Sequence, residues 1–157
     1  MAGKNVILDT NLLVLFVVGI TDPKYIAIHK RLQDYNKNDF SLLSRLVLSY
    51  ESLVLNPHVL AETSNLAGQI TGPAKSKIYG KLGELIENCH EAFIESKRGV
   101  RLKEYRDLGV TDAVLLCASR DEHVIATVDG RLYGVALSLG YRAINFNHRD
   151  MVRRKNT

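Results

Sequence analysis

The stretch "GVTDAVLLCASRDEHVIATVDGRLYGVALSLGYRAINF" (Gly109–Phe146) alternates between two hydrophobic periods. Gly109–Glu122 reads as a helix, His123–Asp129 as a buried strand, Gly130–Gly140 as a second helix and Tyr141–Phe146 as a second strand. Such α-β-α-β alternation with short links favours a parallel sheet covered by helices on both faces.

The same grammar opens the chain. Asn5–Leu8 is a four-residue aliphatic strand, and Leu12–Val18 continues as a helix. Between them Asp9-Thr10-Asn11 interrupts an otherwise apolar run. A buried carboxylate without a partner costs several kcal/mol, so Asp9 is a helix cap, part of a turn, or the ligand of a cation at a strand end. Further on, Asp22-Pro23 is a helix-entry signal, and Tyr25, Ile26, Ile28, His29 and Leu32 lie on one side at helical spacing. A helix is also predicted over about Asp39–Tyr50, a short strand over Leu53–Pro57, and a helix from Pro57 to Ala67 capped by Asn56 and ended by Gly68. "AKSKIYGKLGELIENCHEAF" (Ala74–Phe93) reads as one long helix weakened by Gly80 and Gly83.

The 157 residues suggest one domain with a full hydrophobic core. Residues 1–147 are predicted to form one α/β unit, a three-layer α/β/α sandwich around a mostly parallel sheet, and 148–157 a basic tail. An apolar fraction of 46% and a charged fraction of 24% are ordinary for a globular protein. Cys89 and Cys117 lack a CxxC pattern and read as reduced thiols. The start MAGKNVILDT does not read as a secretory signal, and Leu12–Ile20 is too short to span a bilayer, so a cytoplasmic location is expected. The net charge of +4 is concentrated in the tail and in Ser96–Gly109, which carries Lys97, Arg98, Arg101, Lys103 and Arg106. Basic runs of this kind either hold a polyanion or form a solvated face.

In open parallel sheets, ligands bind beyond the carboxyl ends of the strands. Asp9 and Asp129 each follow a predicted strand directly. Asp112 stands at a helix start beside Thr111, an expected N-cap, and Glu62 borders the apolar face of the Pro57–Ala67 helix. Taken singly, Asp112 complements a helix dipole and Glu62 reaches solvent or pairs with a base. If all four converge, each pair at about 4 Å repels by roughly 4 kcal/mol at an effective dielectric near 20. Such a cluster needs a cation, and an all-oxygen donor set points to magnesium or manganese.

"VILDTNLL", "NPHVLAETSNL" (Asn56–Leu66), "GVTDAVLLCAS" (Gly109–Ser119) and "IATVDGRL" (Ile125–Leu132) resemble, in order, the motifs of the PIN domain nucleases. The resemblance covers nearly the whole chain, with Gly72–Asp107 the least diagnostic part. It places the family's four acids on Asp9, Glu62, Asp112 and Asp129, with Thr10, Asn11 and Thr127 in support. Asn11 and Thr127 match the family residues expected to orient the carboxylates or bound water. Gly130-Arg131 stand where many members carry a further acid.

The resemblance implies a ribonuclease using one or two Mg²⁺ or Mn²⁺ ions, which activate water and leave 5′-phosphate and 3′-hydroxyl ends. It further suggests the toxin of a toxin–antitoxin pair, with an antitoxin partner and a homodimer; the apolar helices between Tyr25 and Tyr50 either supply the dimer surface or simply cover the sheet. A housekeeping RNA-processing nuclease and a non-catalytic RNA-binding module are the alternatives. Lys97–Arg106 is expected to guide the RNA backbone. The five histidines are scattered and take no catalytic part. A phosphatase of the haloacid dehalogenase type also begins strand-Asp, but it needs a second Asp where this chain has Asn11.

Overall fold

Four short aliphatic segments and one two-residue edge strand make the sheet. In the computed structural model, which describes residues 4–148, these are β1 (Asn5–Leu8), β2 (Ser52–Leu55), β3 (His90–Glu91), β4 (Val124–Thr127) and β5 (Ala143–Asn145). All pairings are parallel and the order is β3-β2-β1-β4-β5. The helices are α1 (Thr10–Thr21), α2 (Lys37–Leu48), α3 (Pro57–Ala67), α4 (Pro73–Asn88), α5 (Ser96–Val100), α6 (Tyr105–Leu108), α7 (Val110–Arg120) and α8 (Gly130–Ser138). Together they form the expected three-layer α/β/α sandwich, with a sheet that is wholly parallel.

Right-handed crossovers dictate the layers. The chain first moves from β1 outward to β2 and β3, laying α1–α4 on one face. It then crosses back to β4 and β5 with α5–α8 on the other. The contacts follow this division, since α1 packs on α2, α3 and α4, while α7 packs on α5, α6 and α8. The strand order reverses between β1 and β4, which leaves a crevice at their carboxyl ends.

Helix α1 carries no charge and buries Leu12–Leu15 and Val17–Gly19. A helix apolar all round belongs inside a protein, and α1 lies between the sheet and the outer helices. Gly19 permits the closest approach. A Cβ added there would stand 2.1 Å from Cδ2 of the Phe40 ring, which also meets Phe16 at 6.4 Å between centroids. Both cysteines are free, Cys117 in the core and Cys89 partly exposed.

Two segments depart from the sequence expectation. The helix expected after Asp22-Pro23 is a five-residue 3₁₀ turn, Pro23–Ala27, followed by successive tight turns. Ile28, Leu32 and Tyr35 each donate to the carbonyl three residues earlier. The buried residues Ile26, His29 and Leu32 recur every three positions, and Ile28 is exposed. That is the period of a 3₁₀ path, not of an α-helix. His29 locks it, with Nε2 on the Ala67 carbonyl at 2.9 Å and Nδ1 accepting from Arg31 N at 3.1 Å.

The long helix expected over Ala74–Phe93 stops at Asn88. The side chain of Asn88 donates to the Glu84 carbonyl, and Cys89 is extended. Beyond it His90 and Glu91 register with Val54 and Leu55, and Ala92 N donates to Leu55 O at 2.7 Å. Pairing with the free edge of β2 overrides local helix propensity here. Of the expected tail, residues 149–157 lie outside the described part.

Gly19→Ala is expected to lower stability by about 1–3 kcal/mol through overpacking against Phe40. Chemical denaturation would show a reduced midpoint with an unchanged m-value.

A carboxylate cluster at the β1–β4 crevice

Asp9 is the floor of the crevice. The register Leu8↔Ala126 continues through Asp9 N, which donates to Ala126 O at 2.9 Å. Its carboxylate then takes three hydrogen bonds. Oδ1 accepts from Leu12 N at 3.0 Å, capping α1, and Oδ2 accepts from Thr127 Oγ1 at 2.5 Å and Val128 N at 2.9 Å. Asp9 is therefore a helix cap as well as a strand-end acid, and one group ties β1, α1 and the end of β4 together. Burial pushes the Asp9 carboxyl above its ordinary range, and Asp129 adds repulsion. The bonds from Thr127, Leu12 and Val128 offset part of that rise.

Thr127 is fully buried and does two jobs. Its hydroxyl donates to Asp9 and accepts from Asp129 N at 2.9 Å. Asp129 in turn caps α8, with Oδ1 accepting from Arg131 N and Leu132 N, while Oδ2 takes no hydrogen bond among the described residues. Asp112 lies in the first turn of α7. The expected N-cap, Thr111, does not cap; Gly109, with φ 84°, holds that position. The left-handed value favours glycine there.

Thr111 has another role. Its hydroxyl donates to Glu62 Oε1 at 2.7 Å, and that of Thr10 donates to Glu62 Oε2 at 2.9 Å. Glu62 is thus clamped between α1 and α7 and faces the cluster, not free in solvent. The clamp escaped the sequence reading, because a hydroxyl beside a helix-start acid looks like a cap. Asn11 is exposed in the first turn of α1, with no side-chain hydrogen bond to the acids among the described residues. Arg131 donates to the Asp107 carbonyl at 3.3 Å, bracing α8 against α6.

The other three acids bear on Asp112. Asp112 is pushed up to about 6, first by burial and then by repulsion from Asp129, Asp9 and Glu62. Three helices, α1, α7 and α8, aim their amino ends at this edge, which favours negative charge. Exposure is graded. Asp9 is buried, Asp112 intermediate, and Glu62 and Asp129 are exposed, so the cluster opens to solvent.

The donors are all carboxylate oxygens, the type that a hard divalent cation prefers. Each carboxylate offers about four lone-pair sites. Three of those on Asp9 are occupied and two on Glu62; Asp129 keeps Oδ2 open, and Asp112 accepts no hydrogen bond among the described residues. Among the described residues no three such side chains stand close enough to grip an ion as placed.

The basic stretch divides. Lys97 pairs with Glu95 at 3.0 Å. Arg98 grips Asp121 with two bonds of 3.0 and 3.1 Å. Asp121 ends α7, about 13 Å along the helix from Asp112 at 1.5 Å per residue. Arg98 therefore braces α5 on α7 at the end remote from the acids. Arg101, Lys103 and Arg106 are exposed, with no ion pair among the described residues. No helix among the described residues is long and apolar enough to cross a membrane. No protein-family model matches the chain, and neither does any curated protein.

Two outcomes follow from this geometry. Asp112 binds its proton more tightly folded than unfolded, so its contribution falls as pH rises from about 4 to about 6. Asp112→Asn is expected to stabilise the metal-free protein at pH 7 by about 1–2 kcal/mol after allowance for solvent screening, and to flatten stability across that window. Denaturation midpoints at pH 4 and pH 7 in EDTA would read both effects. Thr127→Val keeps the volume but leaves Asp9 Oδ2 short of a donor, which should cost about 1–3 kcal/mol by the same assay.

Proposed function

We propose that the protein is a metal-dependent endoribonuclease of the PIN type, hydrolysing RNA to 5′-phosphate and 3′-hydroxyl products. One observation carries this reading. Four carboxylates from widely separated segments lie at the edge where the strand order reverses, and Asp112 is raised to about 6 first by burial and then by repulsion from the other three. A chain gains nothing in stability from assembling such repulsion, so the cluster answers to a ligand.

Asp9, Asp112 and Asp129 would hold Mg²⁺ or Mn²⁺, and Glu62 would complete the pocket. When bound, the ion supplies an activated water and charge that stabilises the departing 3′-oxygen. The residues of the chain do the positioning. Thr127 and two backbone N–H groups fix the Asp9 carboxylate, and Thr10 and Thr111 fix that of Glu62. The amino ends of α1, α7 and α8 add positive potential where a phosphodiester approaches. Arg101, Lys103 and Arg106 supply free cations for the RNA backbone.

The compact α/β unit suits the toxin of a toxin–antitoxin pair, acting in the cytoplasm and silenced by an antitoxin that covers the crevice. Ile28 and Leu48, both well exposed, offer apolar surface for a homodimer within the Tyr25–Tyr50 segment.

The test is cleavage of a mixed RNA in Mn²⁺. Activity should vanish in EDTA and return with added metal, and Asp9→Asn should lower it by about 100-fold or more. Undiminished cleavage in EDTA or by that variant would overturn the reading.

A further inference from the structure

Phe93 is 78% exposed, yet the backbone around it is held tightly. Ala92 N donates to Leu55 O at 2.7 Å, and the Asn56 side chain donates to Ala92 O at 3.1 Å. On the other side Ile94 is buried, and Ser96 Oγ meets His58 Nε2 at 2.7 Å. An aromatic ring is thus presented to solvent from a fixed frame, not from a loose loop.

Its place is informative. Extending the β1–β2 register by three residues and the β1–β4 and β2–β3 registers by one puts Ala92, Asn56, Asp9 and Thr127 in one row across the carboxyl edge of the sheet. With strands about 4.8 Å apart, Ala92 lies about 10 Å from Asp9, a nucleotide or two along a bound strand. The chain leaving Phe93 leads to the exposed Arg101, Lys103 and Arg106. A stacking ring combined with free cations beside a phosphate-handling site is the arrangement that binds unpaired nucleic acid.

On the proposed nuclease reading, we infer that Phe93 is the stacking platform for a base flanking the scissile phosphate, which directs the enzyme to single-stranded RNA. Phe93 touches the substrate and not the reacting atoms, so it sets affinity and strand preference. A double helix keeps its bases stacked on each other and cannot use the ring.

The test measures binding of a short single-stranded RNA carrying 2-aminopurine, in EDTA so that no cleavage occurs, alongside a duplex of the same sequence. Phe93→Ala should weaken single-strand binding roughly five- to a hundredfold and abolish quenching of the fluorescent base. Phe93→Trp should retain both, and Phe93→Leu should not. Duplex binding should be indifferent to all three. If wild type binds the single strand and Phe93→Ala binds it equally well, the platform is refuted while the nuclease reading stands. Full rescue by Phe93→Leu, or a change confined to oligomeric state, would mark a protein-docking residue instead and also refute it. A wild type that neither binds nor cleaves RNA removes both readings together.

Discussion

A single buried carboxylate organises the molecule. Left unpaired, Asp9 would cost the fold several kcal/mol, and it is tolerated because three donors converge on it from two chain segments. Those bonds do more than offset desolvation. The one from Leu12 N starts α1, and those from Thr127 and Val128 hold the end of β4 in register with β1. The position of Asp129 then follows, since its backbone N–H rests on the same Thr127 hydroxyl. The central helix, the central strand pair and the mouth of the crevice thus share one electrostatic anchor.

The balance of charge at that mouth is unfavourable. A helix amino end contributes about 0.3–1 kcal/mol toward a nearby anion. Two carboxylates at about 4 Å repel by roughly 4 kcal/mol at an effective dielectric of 20. Three helix ends cannot neutralise four acids, and this repulsion adds to burial in raising the Asp112 carboxyl. On the proposed reading a divalent cation would supply the missing charge, and its binding free energy would add to folding stability by mass action.

How much of this was legible in the residues depended on what each signal encoded. Strand-then-acid at Asp9 and Asp129 was readable, because a parallel sheet must present its carboxyl ends to ligand. Asn56-Pro57 announced α3 because side-chain capping and a proline without an N–H both suit a helix start. The Tyr25–Asn36 segment misled, since five apolar positions fit a period of 3.6 almost as well as the period of three that the structure uses. β3 was invisible for a different reason. Two residues cannot alternate, and they are a strand only because β2 offers them an edge. Charge density likewise grouped Arg98 with its neighbours, whereas Asp121 claims it at the far end of α7. The places of the acids at element ends were readable from sequence, and Thr10 was named beside them; the bond of Thr111 to Glu62 was not, because it acts through a partner remote in the chain.

The physical demands on this chain therefore concentrate at element ends. Asp9, Asn56, Asp112, Thr127 and Asp129 all lie within a few residues of a strand's carboxyl terminus or in the first turn of a helix. Only Glu62 reaches in from the second turn of α3, and it is the one acid that needs hydroxyl clamps from two other helices. Elsewhere the sequence has only to fill a core, a task that many combinations of Leu, Val and Ile perform about equally well. Chemistry placed at strand ends constrains a handful of positions sharply and the remainder loosely. That division is why the acids speak clearly when the surrounding helices do not.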